Sequence, residues 1–468
     1  MTIMDDAPTS PFLQGVYAPV FDELDGVELT VTGELPASLE GVYLRNGANP
    51  EFAPMGRYHW FDGDGMVHAV ELHGGTAQYR NRWVETPGLG HERRAGQALF
   101  GGILNFQFPP ADLLEECGVF KNAANTNIVR HAGRYLALWE GGPATEIRRD
   151  LTTVGLHTFG GRLEGAMTAH PKWCPETGEL IFFGYDPVAG PPFLRYHVAD
   201  ASGNLVHSAP ITLPRGVMMH DFLTTRHHSI FFDLPAVLSA TIEGGDMWQP
   251  KFGARIGVMP RHGTDADVRW FEIEPCFVFH FLNAWEIDGV ITAYGCRMPS
   301  IALDFENRAD EMPSGRSTPG VGLARWTIDL VAGTCREEMV HDLRSDFPRL
   351  HDDLLGLPHR YGYASATLDG PPSLAFNGLV RYDLQTGADD TFAFGEGTTI
   401  GEAVFAPDPT RSGESDGWLL VYATDLASLT TDLCVLDAAD LAHGPVARVH
   451  LPRRVPAGFH GNWLPDPR

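Results

Sequence analysis

One short unit recurs at widely separated places in this chain: an arginine between an apolar and an aromatic residue, followed closely by an Asp-led turn. It appears as Leu194-Arg195-Tyr196 before Asp200-Ala201-Ser202-Gly203, as Ala324-Arg325-Trp326 before the turn from Asp329 to Gly333, and as Val380-Arg381-Tyr382 before that from Asp383 to Gly387. Pro175-Glu176-Thr177-Gly178 is a further turn of this kind. An Asp carboxylate caps nearby backbone N–H groups, and glycine takes positive φ at no steric cost, so such clusters mark tight turns. With 52 Gly, 35 Pro and hardly a long helical run, hairpins repeated over hundreds of residues predict an all-β fold. Repetition on this scale points to a β-propeller. No composition shift marks a linker, so residues 1–468 are expected to form a single domain.

Four histidines stand out in apolar or small-residue settings. They are His170 in Thr168-Ala169-His170-Pro171-Lys172, His220 in Met218-Met219-His220-Asp221-Phe222, His280 in Phe279-His280-Phe281-Leu282-Asn283-Ala284-Trp285-Glu286, and His460 in Gly458-Phe459-His460-Gly461-Asn462-Trp463. Any one alone reads most simply as a core histidine bonded to a carbonyl. The set does not, because the spacings are 50, 60 and 180 residues. At roughly 40–50 residues per blade plus loops, these are one, one and three blades. One histidine on the innermost strand of each of four blades would converge on the propeller axis.

Composition narrows the partners. A formal net charge of −26 excludes nucleic acid, which needs clustered Lys and Arg, and argues against purely electrostatic docking on anionic lipid. The six cysteines stand alone without a Cys-x-x-Cys pair, as expected of reduced thiols in a cytosol. Met1 to Pro11 has no apolar export segment, and no stretch approaches the ~20 apolar residues of a spanning helix. A soluble, cytoplasmic protein is expected.

Two further stretches carry expectations. Tyr58 to His68 reads as an aromatic strand with a double Asp-Gly turn, and its Asp62/Asp64 pair lacks the ligand spacing of a calcium loop. Leu99 to Pro110 is strongly apolar, and Ala111 to Cys117 suits a short helix. This region is either an interior crossing or a cap over a pocket mouth that could also touch a membrane at its periphery.

Four imidazoles with no carboxylate or thiolate ligand suit iron, copper, nickel or zinc, and an octahedron would leave two positions open. Zinc would more naturally close a tetrahedron. Carboxylates accepting the far N–H of each ring would orient the imidazoles and offset the cation's charge. Glu140, Asp346 and Glu402, each beside apolar residues, are the candidates.

The histidine motifs, with Phe61-Asp62-Gly63-Asp64-Gly65-Met66 and Asn283-Ala284-Trp285-Glu286, resemble those of the carotenoid cleavage oxygenases from about Val16 to Trp463. The resemblance implies a seven-bladed propeller with an axial iron(II). It also implies O₂-dependent scission of a conjugated or styryl double bond into two carbonyl products. By position, His170, His220, His280 and His460 would bind iron, with Glu140, Asp346 and Glu402 as the outer carboxylates. Asp346 stands where the family usually has glutamate. Its shorter side chain is expected to give a longer or water-bridged bond to His280, and Asp346→Glu to be tolerated. Thr126 is similar to a threonine that crowds one open iron position in some members.

Stilbene- and phenylpropene-cleaving members carry a lysine before the outer glutamate and a tyrosine after the Leu-Phe-Gly segment. Here Trp139 and Ile103 stand at those positions. The resemblance then favours a carotenoid or apocarotenoid in a tunnel lined by Phe100, Ile103, Trp139, Phe279 and Phe281. The alternatives are a stilbene or phenylpropene dioxygenase and a propeller that only binds an apolar ligand. A metal-dependent hydrolase would call for carboxylate ligands. Oligomeric state, the bond cleaved and the fate of each oxygen atom stay open.

Overall fold

A computed structural model describes residues 10–187, 190–239, 245–301, 318–368 and 375–466. Met1 to Thr9, most of the stretch read above as lacking an export segment, lies outside the described residues.

The hairpin rhythm builds seven antiparallel sheets, the blades of a propeller. Blades 2 to 6 are four-stranded meanders in chain order. Their first, axial strands are Asn127–His131, Lys172–Trp173, Leu223–Thr224, Phe277–Ile287 and Ser345–Arg349. Blade 7 begins with Thr398–Ile400 and Val404–Pro407. Blades 1 and 7 exchange the ends of the chain. Gly461–Pro465 pairs with Gly41–Ala48 as the axial strand of blade 1, with Trp463 opposite Tyr43. Thr30–Gly33 pairs with Pro445–His450 as the outer strand of blade 7. The first and last blades are thereby fastened to each other by both ends of the chain.

The recurrent Arg-centred unit is the third strand of blades 3, 5 and 6, and the Asp that follows shapes the outer hairpin. Asp200 Oδ1 accepts from the N–H groups of Ser202 and Asn204 at 3.0 and 2.9 Å. Asp329 Oδ1 does the same for Val331 and Ala332, both at 2.8 Å. The apolar faces between neighbouring blades form the core; one cluster joins Tyr43, Tyr79 and Trp463 of blade 1 to Leu420 and Leu433 of blade 7. All six cysteines are unpaired. No described helix is long and apolar enough to cross a membrane.

Two local expectations are corrected. Tyr58 to Asp64 is not a strand: Trp60–Asp62 forms a 3-10 turn, and the strand starts at Gly65. Side chains compete for the backbone there, because His59 Nδ1 accepts from Phe61 N at 3.1 Å while Asp62 accepts from His59 N at 3.2 Å. A helix also stands where the sequence pattern suggested none, α1 (Pro87–Ala95), capped by Thr86 and ended by Gly96 at φ 69°. The short helix α2 (Ala111–Cys117) is where it was expected.

Candidate metal centre

His170 and His220 lie just before the axial strands of blades 3 and 4, His280 within that of blade 5, and His460 just before that of blade 1. Their ligand atoms all lie within 4.8 Å of one another. The Nε2 atoms of His170 and His220 are 3.0 Å apart, and those of His220 and His280 3.3 Å.

The opposite edges of three rings meet carboxylates. His220 Nδ1 is 2.7 Å from Glu140, His280 Nδ1 2.8 Å from Asp346, and His460 Nδ1 3.1 Å from Glu402. With Nδ1–H donating outward, each Nε2 points an unshared lone pair at the axis. Such lone pairs repel one another unless a cation sits among them, and three carboxylates supply the compensating charge. The donor set therefore fits a divalent metal.

Glu140 comes from blade 2, Asp346 from blade 6 and Glu402 from blade 7, so all seven blades contribute one residue to this arrangement. The expectation of a long or water-bridged Asp346 bond is overturned. A register irregularity between Asp346 and Arg349, with Phe347 at φ 55°, carries the shorter side chain directly to His280.

Electrostatics follow burial and pairing. Burial and the three neighbouring imidazoles push the basicity of His170 well below the ordinary value. Burial also lowers His460, to about 4, against the opposing pull of Glu402. Burial acts downward on His220 too, but Glu140 outweighs it and raises the ring. Glu402 is buried, which alone would raise it, yet Arg349, His460 and Arg45 hold it at about 2.

Several residues inside the same motifs were given no role by sequence reasoning. Lys172 of blade 3 pairs with Asp221 of blade 4 at 2.6 Å, and the other Asp221 oxygen accepts from Phe281 N of blade 5 at 2.9 Å. Asp221 thus stitches together the strands that carry three of the histidines. Arg349 donates to Gly461 O and Asn462 Oδ1 at 3.0 and 2.8 Å, fixing the strand behind His460. The available signal was the place of Lys172 and Asp221 beside His170 and His220, and of Arg349 three residues after Asp346.

His220, His280 and His460 open onto a cavity of about 1660 Å³, larger than the ~300–1000 Å³ usual for small-molecule sites. Ile103, Thr126, Trp139 and Phe279 line it as expected. Thr126 Oγ1 donates to Asn125 at 2.9 Å, and Thr126 O accepts from His460 N at 3.0 Å. Phe100 and Phe281 do not line it. Phe100 faces a separate cavity of about 120 Å³ and packs over Gly88 of α1. Phe281 turns into the blade 4–blade 5 core against Phe232, because its strand is irregular between Val278 and Asn283; Gly295 leaves room for its ring.

Residues 99–110 with α2 cap the mouth. Phe106 and Phe108 are 55% and 69% exposed there, so this is not an interior crossing. Polar groups tie the cap down: Asp62 accepts from Ile103 N at 3.0 Å, and Lys121 bridges Asp64 and Glu92 at 2.6 and 2.5 Å.

An axial four-histidine cluster beneath a capped apolar cavity defines a propeller with a candidate metal centre. A family model, that of the retinal pigment epithelial membrane protein, matches residues 17–465. The chain belongs to this family, the carotenoid cleavage oxygenases. A carotenoid cleavage oxygenase of Mycobacterium tuberculosis is 36% identical over 97% of this chain and 98% of its own. An isoeugenol monooxygenase of Pseudomonas nitroreducens is 33% identical over 98% of each. Among solved structures, a lignostilbene dioxygenase of Pseudomonas brassicacearum superposes with a TM-score of 0.87 at 30% identity, covering 98% of this chain and 99% of that one. A variant of Synechocystis apocarotenoid oxygenase gives 0.84 at 28%, covering 96% and 98%.

Proposed function

We propose that His170, His220, His280 and His460 hold iron(II), and that the protein cleaves a conjugated double bond of a carotenoid or apocarotenoid with O₂, yielding two carbonyl products. Iron supplies the activation of O₂; the chain's own residues do the rest. Glu140, Asp346 and Glu402 orient three imidazoles and offset the metal's charge. Thr126 narrows the space beside the centre, while Trp139 and Phe279 hold the polyene by apolar burial and keep water out. The exposed Phe106 and Phe108 dock the mouth on a membrane, where such substrates dissolve.

The observation that carries this reading is the histidine cluster at the floor of a cavity too large for a compact substrate. A stilbene or phenylpropene substrate is favoured by two of the relatives. Against it, no lysine among the described residues lines the cavity, and Ile103 and Trp139 offer no phenol anchor beyond an indole N–H. The test is product identification after incubating iron-loaded protein with apocarotenals, carotenoids, a hydroxystilbene and isoeugenol. Preferred cleavage of either phenolic compound would reverse the choice. Protein purified anaerobically without iron, and inert on every compound, would favour a ligand-binding role instead.

A further inference from the structure

A second set of metal-ligating side chains lies at the cavity mouth, away from the axis. His91 is on α1; Glu116 and Cys117 end α2. His91 Nε2 is 2.9 Å from Glu116 Oε2, and one ligand atom from each of the three lies within 4.8 Å of the others. In a tetrahedral zinc site, bonds of ~2.0–2.3 Å place ligand atoms roughly 3.3–3.8 Å apart, so small side-chain rotations suffice here. Imidazole, carboxylate and thiolate are the ligand types zinc takes, and a water would complete the tetrahedron.

The two helices differ in how firmly they are held. α1 buries Leu89 and Glu92, and Glu92 accepts from Lys121 at 2.5 Å. α2 buries only Leu113, has no side-chain cap at its start, and carries Glu116 and Cys117 on the wall of the cavity mouth. A ligand bound across them would fix the loosely held element to the firmly held one.

We propose that His91, Glu116 and Cys117 form a divalent-metal site, suited to zinc, that clamps α2 to α1 and stiffens the cavity mouth. On binding, the Cys117 thiol gives its proton to solvent and its sulfur to the metal. Burial, Glu116 and Glu92 push the thiol above its ordinary value while Arg94 pulls it down, so the metal has to displace the proton. The site shares no residue with the four-histidine centre, so it stands or falls apart from the iron assignment.

The test uses iron-loaded full-length protein titrated with Co²⁺ as a spectroscopic substitute for Zn²⁺. A saturable thiolate-to-cobalt charge-transfer band is expected, displaced by Zn²⁺. The four-histidine centre contains no sulfur and cannot give this band. Cys117→Ser should abolish it, and His91→Ala should abolish it or weaken the affinity markedly. Hydrogen exchange over α2 should slow on zinc addition in the parent protein and not in Cys117→Ser. A missing band, one that survives Cys117→Ser, or one with unchanged affinity in His91→Ala overturns the site. Unchanged α2 exchange with zinc bound overturns the clamp.

Discussion

Replacing Asp346 by Glu, the residue usual in the family, should weaken metal binding in this protein rather than leave it unchanged. Asp346 Oδ1 already accepts from His280 Nδ1 and from Phe347 N, both at 2.8 Å. The following residue, Phe347, sits at φ 55° and stacks its ring 5.0 Å from that of His280. The backbone has moved to the imidazole, so an added methylene enters a filled gap. Overpacking of this kind costs about 1–3 kcal/mol, or roughly 5- to 150-fold in metal affinity if the strain falls on the His280 contact. Asp346→Asn keeps the size, loses the charge and should fall in the ~10–100-fold range typical of outer-shell partners. An anaerobic Fe²⁺ or Co²⁺ titration against a competing chelator, with thermal unfolding as the check on folding, measures both. Metal affinity in Asp346→Glu equal to or above the parent's would refute the reasoning and show that the strand relaxes to suit either side chain.

Alanine at any of the four histidines should sharply lower iron content and turnover, whereas Glu140→Gln and Glu402→Gln should each lose roughly 10–100-fold in metal affinity or activity; full iron occupancy in one histidine variant would break the ligand set. Phe106→Ser with Phe108→Ser should fold normally, since both rings are largely exposed, and should bind liposomes less. At a net charge of −26 the parent's binding should survive added salt, and its loss at moderate salt would contradict apolar docking. His68, His197 and His359 are held by burial at about 3, 4 and 4, below the ordinary histidine value. Between about pH 6.5 and 4 the unfolded chain therefore carries more protons than the folded one. Stability should fall as pH falls through that window, by roughly 3 kcal/mol per histidine. A histidine NMR titration showing these rings charged above pH 6 in the folded protein would contradict this.

Much of the architecture was legible because it rests on local chemistry. Asp-led turns fold by their own carboxylate, and a histidine repeated at blade spacing leads to the axis. What escaped the sequence depends on irregular backbone. Strict strand alternation puts Phe279 and Phe281 on one face and His280 on the other. The bulged strand instead sends Phe279 and His280 to the cavity and Phe281 to the core. The reach of Asp346 was misjudged for the same reason, since side-chain length was legible and the displaced strand was not. The helix α1 is a different failure: Thr86-Pro87 and Gly96 are ordinary start and stop signals, but a weakly apolar segment between them hid the helix.

The exchanged strands of blades 1 and 7 give the centre a history as well as a geometry. During synthesis His170, His220 and His280 are made long before His460, which takes its place only when Gly461–Pro465 lies down beside Gly41–Ala48. A nascent chain thus holds three imidazoles and no fourth, and the four-histidine centre is complete only as the ring shuts. A metal held by all four histidines would act as a clasp on that seam. Ligand binding to the folded form alone adds about 4 kcal/mol at a thousandfold excess over Kd, and here the gain would fall on the strand that closes the ring. Metal-free protein should open at this seam, and exchange of the Gly461–Pro465 amides with and without iron would show it.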